Sequence, residues 1–204
     1  MPKQTFFNLP QEKRGVIEQA ALDEFAEHGY DNSNINRIVT LSKIAKGSFY
    51  QYFEDKKDLY FHLMDTIVNK KINALEPLLS TYKQHDFSFN IREAFRIGLA
   101  LADSEPKYYL LGKDFAGKQP QHIKEFTQKY NPLAMNIYER FLEHADDLGG
   151  LRDGIDIPLI ASFINTLINE TTARVIAEIS TDEKRDYIIE ELIGFIERAI
   201  LKNH

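Results

Sequence analysis

Apolar residues recur at helical spacing along almost the whole chain, and no stretch alternates long enough with the two-residue period of a half-buried strand to build a sheet. In "VIEQAALDEFAEHGY" the apolar positions 16, 17, 20, 21, 25 and 26 form one buried stripe. Pro10 suits the first turn of that helix and Gly29 its stop. Shorter helices are expected at about 34–41, where Asn34 or Ser33 can accept first-turn N–H groups, and at about 45–53. A long helix runs from near Asp55, which can cap it, to about Leu79, with Asp58 complementing the dipole. Further helices are expected near 90–102, over 122–146, from Pro158 at N1 to Ile179, and from Asp182 to Leu201. Residues 103–121 are studded with Pro, Gly and Tyr, and "DDLGGLRDGIDIP" is the clearest loop. The expected class is all-α without internal repeats: a three-helix N-terminal domain, residues 1–55, and a larger helical domain, 56–204.

Composition removes several classes of function. The 204 residues are 43% hydrophobic and 27% charged, as in an ordinary globular protein. No apolar run approaches the roughly 20 residues needed to span a bilayer. The first residues lack an apolar core with a cleavage site, so a cytoplasmic protein with no membrane partner is expected. With no cysteine there is no disulfide, thiol nucleophile or thiolate zinc site. The six histidines are scattered. His144 sits among carboxylates in "EHADD", but no His-Glu-x-x-His or paired Glu-x-x-His pattern exists, so no metal is expected. Gly-x-Ser-x-Gly and phosphate-binding glycine loops are absent, so no catalytic residue and no cofactor is expected. "NET" at Asn169 matches a glycosylation acceptor only formally, in mid-helix. The formal net charge is −6. Against that background residues 32–57 form a basic island, with Arg37, Lys43, Lys46, Lys56 and Lys57 against Glu54 and Asp55.

That island contains "KIAKGSFYQYF", residues 43–53. On a helical wheel Ala45, Phe49, Tyr52 and Phe53 share one face, while Lys46, Gly47, Tyr50 and Gln51 lie opposite, with Ser48 at the edge. Glycine in a helix costs about 1 kcal/mol relative to alanine, which suggests a face that something approaches closely. A helix, a short turn and a second helix with a basic, amide-bearing outer face is the layout that enters a DNA major groove. Lys46 and Tyr50 could then reach phosphates and Gln51 could pair bidentately with adenine. Arg37, Lys43 and Lys56 would flank them as phosphate contacts, and Asn34, Asn36, Gly47, Ser48 and Tyr52 complete the candidate interface. From spacing alone, a merely solvated basic face over an aromatic core accounts for the same residues.

The stretch "AALDEFAEHGYDNSNINRIVTLSKIAKGSFYQYFEDKKDL" resembles the DNA-binding domain of TetR-family transcriptional regulators. Phe25, Gly29 and Tyr30 match the end of the family's first helix, and Ile35 and Ile38 its second. Gly47, Tyr50, Tyr52 and Phe53 match its recognition helix, with Lys56 and Leu59 just beyond. The resemblance covers about residues 11–65. Three positions depart from it: Val39 replaces the usual alanine, Lys43 a glycine of the turn, and Ala45 the serine or threonine that opens the recognition helix.

The resemblance implies a homodimer built through residues 158–201, a double-stranded DNA operator with palindromic half-sites, and a small-molecule effector, expected to be largely apolar. A repressor released by that effector is the expected function, and the protein is not expected to be an enzyme. A regulator without effector control, or a helical enzyme, would be the alternatives. The helix of 158–179 is apolar almost all round, and that of 182–201 carries a broad stripe of Ile188, Leu192, Phe195, Ile196 and Ala199. Candidate effector contacts are Arg96, Tyr108, Tyr109, Phe115, Phe126, Tyr130, Met135 and Tyr138, with Phe95, Phe141, Arg92, His122 and Asn131 nearby.

Overall fold

Caps and stops set the element boundaries in the computed structural model, which describes residues 2–116, 137–179 and 181–202. The described residues are helical apart from turns and one isolated antiparallel bridge, Leu151–Leu201. The helices are α1 (Gln4–Phe7), α2 (Gln11–Asn32), α3 (Ile35–Leu41), α4 (Lys46–Tyr52), α5 (Lys56–Thr81), α6 (Phe87–Ser104), α7 (Pro106–Ala116), α8 (137–147), α9 (Ile157–Glu178) and α10 (Asp182–Ile200). They form two compact units, residues 1–70 with 105–126 and residues 71–104 with 127–204. Packing thus divides the chain elsewhere than the expected boundary after residue 55: the start of α5 and all of α7 belong with the N-terminal helices.

In the first unit the short helices close on an aromatic core. Phe6, Ile17, Phe25, Ile38, Phe49, Phe53, Leu59, Leu63 and Leu111 are fully buried, and each such side chain contributes roughly 1.5–3 kcal/mol through removal from water. Phe6 comes from α1, which the sequence pattern does not reveal because four residues are too few to show a period. Its ring lies 4.8 Å from Phe53 and 5.3 Å from His62. Asn34 is the cap of α3, its Oδ1 accepting from Asn36 N–H at 2.8 Å. Asp55 accepts from Asp58 N–H at 2.8 Å, and Asp58 Oδ2 accepts from Glu54 N–H at 3.1 Å, a reciprocal device that starts α5.

Helix α7 corrects the irregular reading of 103–121 over Pro106–Ala116, residues 117–121 lying outside the described ones. Pro106 stands at the first helical position, where a missing N–H costs nothing, and Leu111 and Phe115 supply a buried i, i+4 pair. Asp114 fixes it to the end of α2, accepting from Tyr30 N–H at 3.1 Å and from the Tyr60 hydroxyl at 3.0 Å. There Gly29 leaves the helix with φ 68° and ψ 170°, a conformation open essentially to glycine alone. A Cβ on Gly29 would stand 2.9 Å from Asp114 Oδ1. Burial and the nearby Asp114 carboxylate push the Tyr60 hydroxyl well above its ordinary range.

The second unit packs α6, α8, α9 and α10 with the last turns of α5. Its core includes Leu75, Phe87, Ile91, Phe95, Leu99, Phe141, Leu142, Ile164, Ile168, Ile193 and Ile196. Asp156, not Pro158, opens α9: its Oδ1 accepts from Leu159 N–H at 3.0 Å, and Pro158 is the second helical residue. Arg152 closes α10, donating to the carbonyls of Arg198 at 2.8 Å and Leu201 at 2.9 Å. The buried stripe of α10 is Ile189, Ile193, Ile196 and Ile200, with Ile188 and Leu192 half-buried beside it. Phe195 and Ala199, assigned to the stripe from the sequence, are exposed. The two faces are hard to separate by spacing because isoleucines occupy adjacent positions at 188 and 189.

Candidate nucleic-acid interface

Helix α4 presents two chemically distinct faces. Phe49 and Tyr52 are buried, and Phe53 just beyond the helix is fully so. Lys46, Gly47, Tyr50 and Gln51 are exposed, and Ser48 is half-buried. No atom other than its own helix backbone and chain neighbours lies within 4 Å of where a Cβ on Gly47 would be, so packing does not require glycine there. The Tyr50 ring stands edge-on to Phe49 at 5.3 Å, which orients the phenol outward without burying it. A cation, a bare backbone, a phenol and an amide thus share one exposed face, the inventory that phosphate and base-edge contacts use. Tyr52 departs from the expected interface: its ring lies 6.2 Å from Phe6 in the core.

The turn before α4 explains one departure from the family pattern. Ile44 N–H donates to Val39 C=O at 3.0 Å and Lys43 N–H to Thr40 C=O at 3.2 Å. This pair of bonds is a Schellman closure of α3, and it puts Lys43 in the left-handed region at φ 53°. Glycine would adopt that conformation freely; lysine adopts it under strain. Lys43 is exposed, and its ammonium lies on the same short segment as α4. Ala45, at the cap position of α4, offers no side-chain acceptor.

Two of the expected phosphate contacts have structural partners. Arg37 donates through Nε to both carboxylate oxygens of Glu24 at 2.8 Å and through Nη2 to Asn32 C=O at 2.7 Å. Glu24 is almost fully buried and also accepts from Asn34 N–H at 2.7 Å. Burial drives that carboxyl upward, but the Arg37 and Asn34 hydrogen bonds outweigh it and hold it below its ordinary range. Lys56 donates to Tyr30 C=O and, at 3.0 Å, to Ser33 C=O, closing the end of α2, with its Nζ 4.6 Å above the Tyr30 ring. Asn34 acts as a cap and Asn36 is exposed on α3. Partners distant in sequence fix the roles of Arg37 and Lys56, so spacing alone could not show them.

The candidate effector contacts divide between the units. Tyr108, Tyr109 and Phe115 belong to the first, Arg96 and Tyr138 to the second. Lys70 lies 4.7 Å over the Tyr108 ring, and Phe115 is buried 6.2 Å from Tyr60. Arg96 is exposed among Glu93, Asp186 and Glu190 at 3.4–4.0 Å. Tyr138 is buried beside Phe141, and burial raises its hydroxyl above the ordinary range. Phe126, Tyr130 and Met135, with His122 and Asn131, lie outside the described residues. Among the described residues no three His, Asp or Glu side chains converge as a metal site, and no helix is long and apolar enough to cross a membrane.

Comparison with known proteins bears on the helix pair. Residues 17–63 match the family model described as bacterial regulatory proteins, tetR family. The fatty acid metabolism regulator protein of Bacillus subtilis is 25% identical over 188 residues, covering 84% of this chain and 86% of that relative. A TetR family transcriptional regulator from Chloroflexus aurantiacus superposes with a TM-score of 0.73 at 26% identity, covering all of both chains. The fold is also that of the transcriptional regulator FadR from B. subtilis in complex with stearoyl-CoA, at 20% identity and a TM-score of 0.66 over 90% of this chain and 95% of that one. With its matched N-terminal helices, the exposed basic face of α4 and full-length agreement in fold, the chain belongs to the TetR family of DNA-binding transcriptional regulators.

Proposed function

We propose that this protein is an effector-responsive repressor that binds a palindromic operator as a homodimer, each protomer placing α4 in a major groove. The observation that carries this reading is the exposed face of Lys46, Gly47, Tyr50 and Gln51, held outward by the buried rings of Phe49, Tyr52 and Phe53. Lys46 and Tyr50 bind phosphates, Gln51 reads a base, and Lys43 adds a flanking cation; Asn36, Ser48 and the α3 cap at Asn34 border the contact. Arg37 and Lys56 hold α3 and the end of α2 in place for it.

Support for a dimer comes from α9 and α10. Leu159 and Phe163, four residues apart on α9, are 48% and 53% exposed, and Tyr187 and Phe195 on α10 are 65% and 56% exposed. Large side chains left on helices whose other face is already core are what a second subunit covers. For the effector, a largely apolar small molecule fits the aromatic content of the second unit, and the stearoyl chain of the stearoyl-CoA bound by a fold neighbour is apolar in the same way. Helix α5 has residues in both units and is the proposed route by which effector binding alters the spacing of the recognition helices. The effector can release DNA only through the difference in its affinity for the two states.

Selection from a randomised duplex pool, with sedimentation to fix the oligomeric state, tests this directly. A palindrome enriched by a dimer supports the reading; binding without an enriched motif overturns it. Gln51→Ala is expected to relax the preference at one base by about 1–3 kcal/mol. Lys46→Ala is expected to weaken binding to all sequences and lower the salt slope by about one.

A further inference from the structure

Helix α4 has only seven residues, two turns, and such a helix is marginal unless its surroundings hold it. Its first turn receives no side-chain cap from Ala45. Its other end is fully provided for. Of the four carbonyls there, that of Phe49 accepts from Phe53 N–H at 2.9 Å. The other three accept from residues far away in sequence: Tyr50 C=O from Lys3 Nζ at 3.0 Å, Gln51 C=O from the Thr5 hydroxyl, and Tyr52 C=O from Lys3 N–H at 2.8 Å. The Lys3 ammonium also sits at the negative end of the helix dipole. Phe6, one residue beyond Thr5, anchors the segment by filling the core against Phe53, Tyr52 and His62.

We infer that residues 3–6 are a clamp that positions the recognition helix, and that Lys3 and Thr5 are positioning residues for sequence-specific DNA recognition. The carbonyl held by Thr5 belongs to Gln51 and that held by Lys3 Nζ to Tyr50, the two residues proposed to read a base and a phosphate. A base contact needs its donor placed within a few tenths of an ångström, whereas phosphate attraction tolerates looser geometry. The clamp therefore acts on discrimination more than on general attraction to DNA. The inference rests on α4 as the reading helix, as proposed above.

The test compares Thr5→Val, Thr5→Ser and Lys3→Ala in the full chain, with affinities measured for the selected operator and for a random duplex, and the active fraction fixed by stoichiometric titration. Thr5→Val keeps shape and removes the donor. Loss of one such hydrogen bond is expected to lower operator affinity roughly two- to ten-fold while leaving random-duplex affinity and its salt slope unchanged. Thr5→Ser restores the donor and the affinity. Lys3→Ala keeps the backbone donor to Tyr52 and shows a similar loss. Wild-type operator affinity in both Thr5→Val and Lys3→Ala, or equal losses on operator and random duplex, overturns the inference. Gln51→Ala measured in parallel separates the two ideas: if it relaxes no base preference while Thr5→Val still lowers operator affinity selectively, the base assignment fails and the clamp stands.

Discussion

Replacing Lys43 by glycine is expected to make this protein more stable and a weaker DNA binder at once. Lys43 occupies the residue after the C-cap of α3 at φ 53°, where a Cβ crowds the following carbonyl. That conformation costs a non-glycine residue about 1–2 kcal/mol. Glycine relieves it but adds freedom to the unfolded chain, which offsets about 0.4–1 kcal/mol. The net gain is then up to about 1.6 kcal/mol, with about 0.8 kcal/mol at the middle of the two ranges, a rise of up to about 6 °C in the midpoint for a chain of this size. Lys43→Ala supplies the control, because it removes the charge and keeps the Cβ. Thermal unfolding monitored by circular dichroism compares the three proteins, and a salt series on operator DNA compares their binding. Both variants are expected to lose about one unit of salt slope if Lys43 contacts a phosphate. A glycine variant that melts below the alanine variant would refute the backbone reasoning, whatever happens to DNA binding.

The same geometry carries three further expectations. Ala45→Ser supplies the missing first-turn acceptor of α4 and is expected to raise stability by about 1 kcal/mol, read as a shift of the denaturation midpoint at constant slope. Gly29→Ala combines a conformation closed to side chains with a contact on Asp114, and is expected to cost about 1–3 kcal/mol or more, measured by denaturant titration. Glu24 and Glu190 both ionise below the ordinary value of 4.5, Glu24 because hydrogen bonds from Arg37 and Asn34 outweigh its burial, and Glu190 chiefly through its paired hydrogen bonds to Arg92. Their stabilisation is complete above about pH 4.5 and is lost as pH falls through the lower folded values. Melting temperature against pH is therefore expected to fall below that point, and Glu24→Gln is expected to flatten the fall.

Much of the candidate interface is legible in the sequence because it is local. Helical spacing in residues 43–53 fixes which side of α4 carries Phe49 and which carries Lys46 and Gln51, since a two-turn helix allows only one face to meet a core. The resemblance points to Lys43 through the glycine missing from the turn, and the structure gives the reason, a Schellman closure that needs a left-handed residue there. Asn34 and Asp55 are readable as caps because a first-turn N–H needs an acceptor within three residues.

What the tertiary structure decided lies between residues distant in sequence. Period and composition leave α1 unseen and make the stretch that holds α7 look irregular, yet burial of Phe6, Leu111 and Phe115 gives both helices a place in the first unit. Arg37 and Lys56 read as flanking phosphate contacts in the sequence, and only the fold brings Glu24 and the Tyr30 and Ser33 carbonyls within their reach. No local pattern announces that Lys3 and Thr5 close the end of a helix nearly fifty residues away. Sequence determined which faces could be buried, because periodicity is a property of one helix. Only the fold decided what each face meets, because a hydrogen bond or ion pair needs two groups that the chain alone leaves apart.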